Sequence, residues 1–207
     1  MNFDRVAASY RWLEKIVFGN QLQQARLAFV REIGRPRRVL IVGEGDGRFL
    51  AELLRVNPGV QVDCIESSAR MIEMARRAVR GTEVRFILAD VRTVPLRDNC
   101  YDLIVTHFLL DCFSEKTLAP LLRQLAEAAT AEARWLIADF CYPPRGCQRL
   151  RAQLLIAVMY FFFRAATGIE ASRLIDYRPF LRARGFECTQ EMVLPNEMIR
   201  SELWRRS

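Results

Sequence analysis

The stretch Val39–Leu50, VLIVGEGDGRFL, decides how the rest of the chain is read. An apolar run breaks into three glycines spaced two apart, Gly43, Gly45 and Gly47, with Glu44 and Asp46 between them. An apolar run that ends in glycine and passes into a helical pattern reads as strand, tight turn and helix. Glycine there lets the main chain adopt conformations barred to residues with a β-carbon and lets a ligand come close to it. A dinucleotide site needs G-x-G-x-x-G. Arg48 and Leu50 stand three residues after Gly45 and Gly47, so that fingerprint is absent. Two carboxylates in the turn would also repel a pyrophosphate and favour a ligand carrying positive charge.

Working outward, short apolar runs recur: RVLIVG (38–43), VQVDCIE (60–66), EVRFILAD (83–90), YDLIVTHF (101–108) and RWLIADF (134–140). Helical patterns such as GRFLAELLRV, SARMIEMARRAV and LAPLLRQLAEAA separate them, and an amphipathic helical region precedes them at about 5–33. This alternation predicts an α/β fold, a Rossmann-like, mostly parallel sheet with helices on both faces. The tail GFECTQEMVLPNEMIRSELWRR (185–206) reads as a closing antiparallel pair turning at Pro195-Asn196, which brings the sheet to seven strands. With no repeat and no linker, residues 1–207 form one domain.

In such sheets the ligand lies beyond the carboxyl ends of the strands. Those ends are Gly43–Gly47, Glu66 with Ser67, Asp90 with Val91, and Thr106-His107-Phe108. S-adenosyl-L-methionine suits them, being a nucleoside with a sulfonium and an ammonium group and no phosphate. Glu66, at the second strand end, is placed to accept from both ribose hydroxyls. Asp90 is placed to accept from the adenine amino group while the Val91 N–H donates to the ring. Glu44, Ser67 and Thr106 complete the expected cofactor set.

Composition narrows the class. The chain is 51% apolar and 27% charged, which suits a folded domain rather than a disordered one. It lacks a run of eighteen apolar residues, and MNFDRVAASYRW lacks a signal-peptide core, so a cytoplasmic protein is expected. Six scattered cysteines without a CxxC pair, and a single histidine, predict reduced thiols and no metal site. The net charge is +7, but 29 of 31 basic residues are arginines spread along the chain, and the cluster RPRR (35–38) has no interleaved aromatics. That pattern favours a solvated surface over a nucleic-acid groove.

Three segments resemble the class I S-adenosylmethionine-dependent methyltransferases, and among them the ubiquinone/menaquinone biosynthesis C-methyltransferases. They are FDRVAASYRWLEKIVFGNQLQQAR (3–26), VRFILADVRTVPLRDNCYDLIVTHFLL (84–110) and LIADFCYPP (136–144). The resemblance implies that Gly43, Gly45, Glu66, Asp90 and Val91 hold the cofactor and that Tyr10 folds over it. The chain departs from the family at Ile41, where an acid is common, with Glu44 as a partial replacement. It also lacks a Lys-Pro-Gly-Gly turn before the fifth strand. Asp111 stands near an expected Arg-Asn pair, so quinone specificity does not carry over.

Methyl transfer is an in-line displacement from an activated carbon, so positioning can supply much of the catalysis. Where the acceptor must lose a proton, His107, Asp111 and Tyr142 are the candidate groups. Within the segment LRAQLLIAVMYFFFRAATG (150–168), part of an insertion at 145–170, the run Leu154 to Phe163 is apolar on every side and flanked by arginines. It reads as a lid whose Met159, Tyr160, Phe161 and Phe162 wall a pocket for a small or lipid-like hydrophobic acceptor. A buried helix or a homodimer face are the alternatives, and its basic flanks permit peripheral contact with an anionic membrane. Methylation of nucleic acid or protein, and a non-catalytic interaction domain, remain the competing functions.

Overall fold

Side chains on β1 (Arg38–Val42) alternate between two cores, as the period of two in a strand requires. Val39 and Ile41 pack on one face of the sheet and Leu40 and Val42 on the other. In the computed structural model, residues 18–80, 83–144, 146–167, 169–195 and 197–207 are described. Tyr10 and the rest of the N-terminal segment through residue 17, and Asn196 of the expected turn, lie outside them.

The remaining strands are β2 (Gln61–Glu66), β3 (Val84–Leu88), β4 (Tyr101–His107), β5 (Ala129–Phe140), β6 (Phe186–Val193) and β7 (Ile199–Arg206). They form one seven-stranded sheet in the order β3-β2-β1-β4-β5-β7-β6. The first five are parallel; β7 runs antiparallel to β5, and β6 antiparallel to β7. The fold is the expected Rossmann-like one. β5 begins earlier than its apolar run suggested, at Ala129 rather than Arg134, because an irregular pairing of Ala129 with Tyr101 of β4 extends it.

Six α-helices are described: α1 (Gln21–Leu27), α2 (Arg48–Val56), α3 (Ala69–Ala78), α4 (Glu115–Ala128), α5 (Cys147–Thr167) and α6 (Arg178–Arg182). α2 buries Phe49, Leu50 and Leu53 on the face of Val39 and Ile41. α4 buries Leu118, Leu121, Leu122 and Leu125 on the opposite face, with α6 contributing Leu181. A third cluster lies at the end of the sheet, where α5 packs on α1, Ala138 and Ile199. Chain direction across the sheet reverses between β1 and β4, so a crevice opens beyond their carboxyl ends.

The glycine turn divides its labour. Gly47 sits at φ +86° as the N-cap of α2, and a Cβ there would come within 2.6 Å of the Ala75 Cα on α3. Gly47 thus sets how closely two helices approach. Gly47→Ala is expected to destabilise the protein by about 2–4 kcal/mol, the sum of left-handed strain and a backbone clash. Gly59 has φ +85° but open space around its Cβ position, so Gly59→Ala should cost only about 1 kcal/mol. Equal urea midpoints for the two variants would refute the packing role.

Candidate active site

The crevice is lined by the backbone turn Gly43–Gly45, by Glu66 and Ser67, by Asp90 and Val91, and by His107 and Phe108. Eight expected site residues are therefore brought together: Gly43, Glu44, Gly45, Glu66, Ser67, Asp90, Val91 and His107. Thr106, Asp111 and Tyr142 do not line it. Thr106 is fully buried, and its hydroxyl accepts from the Trp135 Nε1–H at 2.9 Å, which commits it to the core.

Glu66 anchors the crevice. Its Oε2 accepts from the Gly45 N–H at 3.2 Å and its Oε1 from the Ser68 N–H at 3.0 Å, so one carboxylate ties the turn after β1 to the turn after β2. Burial raises its pKa, and the backbone donors oppose that rise. Ser67 also donates to this carboxylate, from its N–H and from its side chain, so two vicinal hydroxyls of a ligand would take acceptor sites that Ser67 now uses. Gly45, at φ +74°, leaves its Cβ position open, and a side chain would intrude on that space.

The other acids differ from expectation. Glu44 turns toward α2 and accepts from the Leu50 N–H at 2.8 Å, capping the helix. Burial pushes its pKa up to about 8, so at neutral pH it is mostly protonated. Asp46 pairs with Arg48 at 2.9 Å, away from the crevice lining. Asp90 caps the short 3-10 turn Val91–Thr93 by accepting from the Arg92 N–H at 3.0 Å, and it also accepts from Arg92 Nε at 2.9 Å. The turn is therefore much less anionic than its sequence suggested.

His107 is buried, edge-on to Phe49 with ring centroids 4.6 Å apart, and its Nε2 has no hydrogen-bond partner among the described residues. Burial, reinforced by Arg26, lowers its pKa to about 3, which keeps the imidazole neutral. Two lining groups have features that were not foreseen, although Phe108 stands at an expected strand end. Arg26, from α1, lines the crevice with its guanidinium 5.0 Å from the centroid of the Phe108 ring. Phe108 holds φ +52°, an uncommon conformation for a side chain of its size, and donates its N–H to the Ala138 carbonyl at 2.7 Å. Neither has a spacing signal, because both depend on how distant segments fold together.

Beside the crevice lies a buried acid pair. Asp111 and Asp139 hydrogen-bond through their side chains, and Asp139 Oδ2 also accepts from the Asp111 N–H at 3.2 Å. Burial raises both pKa values, Asp139 further because it also feels Asp111. Cys112, whose Sγ lies 3.6 Å from Asp111 Oδ1, separates the pair from the crevice it lines. Tyr142 packs nearby with Phe108, Phe140, Leu155 and Met159. Tyr160 of α5 is buried and donates its hydroxyl to the Asp111 carbonyl at 3.1 Å. Phe161, expected to wall a pocket, points outward instead at 80% exposure. Phe162 lies outside the described side chains.

The residues present fit S-adenosylmethionine: Glu66 lines the crevice with a carboxylate that ligand hydroxyls can reach in exchange for Ser67, Gly45 leaves room at the main chain, and the crevice offers both a carboxyl group and a guanidinium. The acid pair has a measurable signature. Carboxyls whose folded pKa exceeds the unfolded value hold protons in the native state, so their contribution to stability falls as pH rises from about 4 through the raised values. Asp139→Asn removes that penalty, so its melting temperature relative to wild type should improve between pH 5 and pH 8. A difference independent of pH would mean that Asp139 does not carry a raised pKa in the folded protein.

Comparison with known proteins agrees with this geometry. Residues 39–131 match the family model described as a methyltransferase domain. Demethylmenaquinone methyltransferase of Thermus thermophilus is 31% identical over 150 residues, covering 70% of this chain and 66% of that protein. The enzyme of the same name from Thermotoga maritima is 27% identical over 144 residues, covering 68% and 61%. The chain thus spans less than two thirds of the length of these relatives. Among solved structures, an S-adenosylmethionine-dependent methyltransferase from Mesorhizobium loti superposes with a TM-score of 0.65 at 16% identity, covering 89% of this chain and 100% of that one. By sequence and by fold, the chain belongs to the class I S-adenosylmethionine-dependent methyltransferase family.

Proposed function

We propose that this chain transfers the methyl group of S-adenosylmethionine to a small, lipophilic acceptor. One juxtaposition carries the reading. The crevice held by Glu66 and Gly45 adjoins the third apolar core: Phe108 and Cys112 line the crevice and pack against that core, as do Phe140, Tyr142, Leu155 and Met159. The names of the related demethylmenaquinone methyltransferases supply the acceptor class as a proposal.

The cofactor supplies an activated methyl group on a sulfonium; the protein supplies place and dryness. Glu66 holds the ribose hydroxyls. Asp90 and the Val91 N–H meet the adenine edge, with Arg92 as a competitor for the Asp90 carboxylate. Glu44 and Arg26 face the charged amino-acid end. Neutral His107, with its unpartnered Nε2, orients a ligand rather than removing a proton, since a base with so low a pKa has little driving force near pH 7. Where an acidic acceptor must lose a proton, the Asp111–Asp139 pair, whose raised pKa values bring it closer to neutrality, stands behind Cys112 rather than in the crevice, so the proton would have to reach it past that side chain. Tyr142, in the same cluster, helps to orient the acceptor.

Calorimetry with S-adenosylhomocysteine tests the cofactor site. Wild type should bind, and Glu66→Ala should weaken binding by about 1–3 kcal/mol. No heat with either cofactor form would end the methyltransferase reading. Glu44 gives a second test. A sulfonium beside a carboxyl of pKa about 8 favours its ionised form, so binding at pH 7 should release protons. Measured as buffer-dependent enthalpy, the release should be larger for S-adenosylmethionine than for its uncharged-sulfur product, and Glu44→Gln should abolish the excess. Equal release by the two ligands would remove Glu44 from the cationic end. For the acceptor, radiolabelled methyl groups should pass into lipid-extractable products; label confined to protein or RNA would overturn the acceptor class.

A further inference from the structure

Helix α5 is apolar on two opposite sides. Ala152, Ile156 and Tyr160 are buried toward the sheet. On the outer side Leu150, Leu154, Val158 and Phe161 are 69, 68, 57 and 80% exposed. Steps of four, four and three residues set these four on one line along the helix, about 17 Å from end to end. Only Leu88 and Val193 join them as exposed large hydrophobics among the described residues, so the apolar surface is concentrated rather than scattered. Charge frames the line: Arg149 and Arg151 stand at one end and Arg164 at the other, all exposed, and residues 147–167 contain no acid.

We propose that this face of α5 docks the protein onto an anionic lipid bilayer, with the helix lying in the plane of the headgroup boundary. An apolar line with basic ends matches such a surface, which offers acyl chains below and negative headgroups beside them. The net charge of +7 adds long-range attraction. Among the described residues no helix is long and apolar enough to cross a membrane, so the contact is parallel to the surface. A second copy of the chain fits less well. Two-fold pairing of this face would set the arginine ends of one helix against those of the other, with no acid on either to neutralise them. The inner side of the same helix covers the apolar cluster beside the crevice, so docking would bring that cluster to the depth where lipophilic molecules dissolve. The inference goes beyond the acceptor reading and does not depend on it.

Co-sedimentation of the full chain with vesicles tests the proposal. Vesicles of phosphatidylcholine containing phosphatidylglycerol should bind the protein, pure phosphatidylcholine much less, and binding should fall as salt rises. Leu154→Ser combined with Phe161→Ser should weaken binding by about tenfold for each apolar side chain lost. Arg151→Glu with Arg164→Glu should separately erase the preference for anionic vesicles. Both pairs are exposed, and neither should change calorimetric binding of S-adenosylhomocysteine. Failure of that cofactor to bind wild type would sink the methyltransferase reading and leave this one standing. The docking proposal is overturned if wild type ignores anionic vesicles, or if the Leu154/Phe161 variant binds them equally. It is likewise overturned if that variant dissociates a wild-type dimer, or if vesicles bind only after removal of residues 1–17.

Discussion

The cofactor crevice depends on one carboxylate accepting from two backbone turns. Glu66 takes the Gly45 N–H with one oxygen and the Ser68 N–H with the other, so the loops after β1 and β2 cannot move independently. The carboxylate needs both donors, because burial raises its pKa and the N–H groups stabilise the charged form. The glycines serve this arrangement. Gly43 also closes the β1 end by donating its N–H to the Ile65 carbonyl at 2.9 Å, at φ +72°. Everything bound in the crevice would meet main chain fixed in this way.

The acids that look alike in sequence have different physics in the structure. Glu66 remains an acceptor that lines the crevice. Glu44 has been drawn into the first turn of α2, where it satisfies a helix amide and gains a proton at neutral pH. Asp90 is shared with Arg92, which also reaches Glu170 beyond α5. Glu170 accepts from Thr117 Oγ1 at 2.6 Å, so the rim of the crevice is tied to α4 and to the segment that follows α5. A turn read as an acid-lined cradle is closer to a neutral one, and any selectivity for a phosphate-free nucleoside would rest on glycine geometry and on Glu66 more than on charge.

The fold was legible because its signals are local. A strand buried on both faces must be apolar at every position, as in Val39–Val42, and a glycine must follow where the chain turns sharply into α2. The acids at the ends of β2 and β3 were legible for the same reason, since strand ends in a parallel sheet converge on one edge. What was not legible depends on register between distant segments. Asp139 meets Asp111 because β4 and β5 pair His107 with Ala138, and that register follows an irregularity near Tyr101 which no periodicity announces. Thr106 was misjudged by one side of a strand: its side chain faces Trp135 in the core, while the next residue, His107, faces the crevice. Arg26 arrives from a helix whose placement over the crevice depends on tertiary packing alone.

Helix α5 shows why periodicity fails when both faces of a helix are apolar. A one-sided helix declares its inner face by spacing, and the remaining side is polar. In α5, Ile156 and Tyr160 go inward while Leu154, Val158 and Phe161 go outward, so apolar residues occur at nearly every step and no phase is favoured. Sequence could therefore say that the segment was unusual but not which residues faced the acceptor. The arginines at its ends locate the outer face only once the structure shows Leu150 through Phe161 left bare between them. A helix that spends half its apolar surface covering a site and leaves the other half in water is stable only because its inner face is anchored, through the Tyr160 hydroxyl on the Asp111 carbonyl and through Ile156 in the third core. Such a helix gains free energy from any apolar phase that meets its outer face, and that places the burden of explanation on the surface rather than on the core.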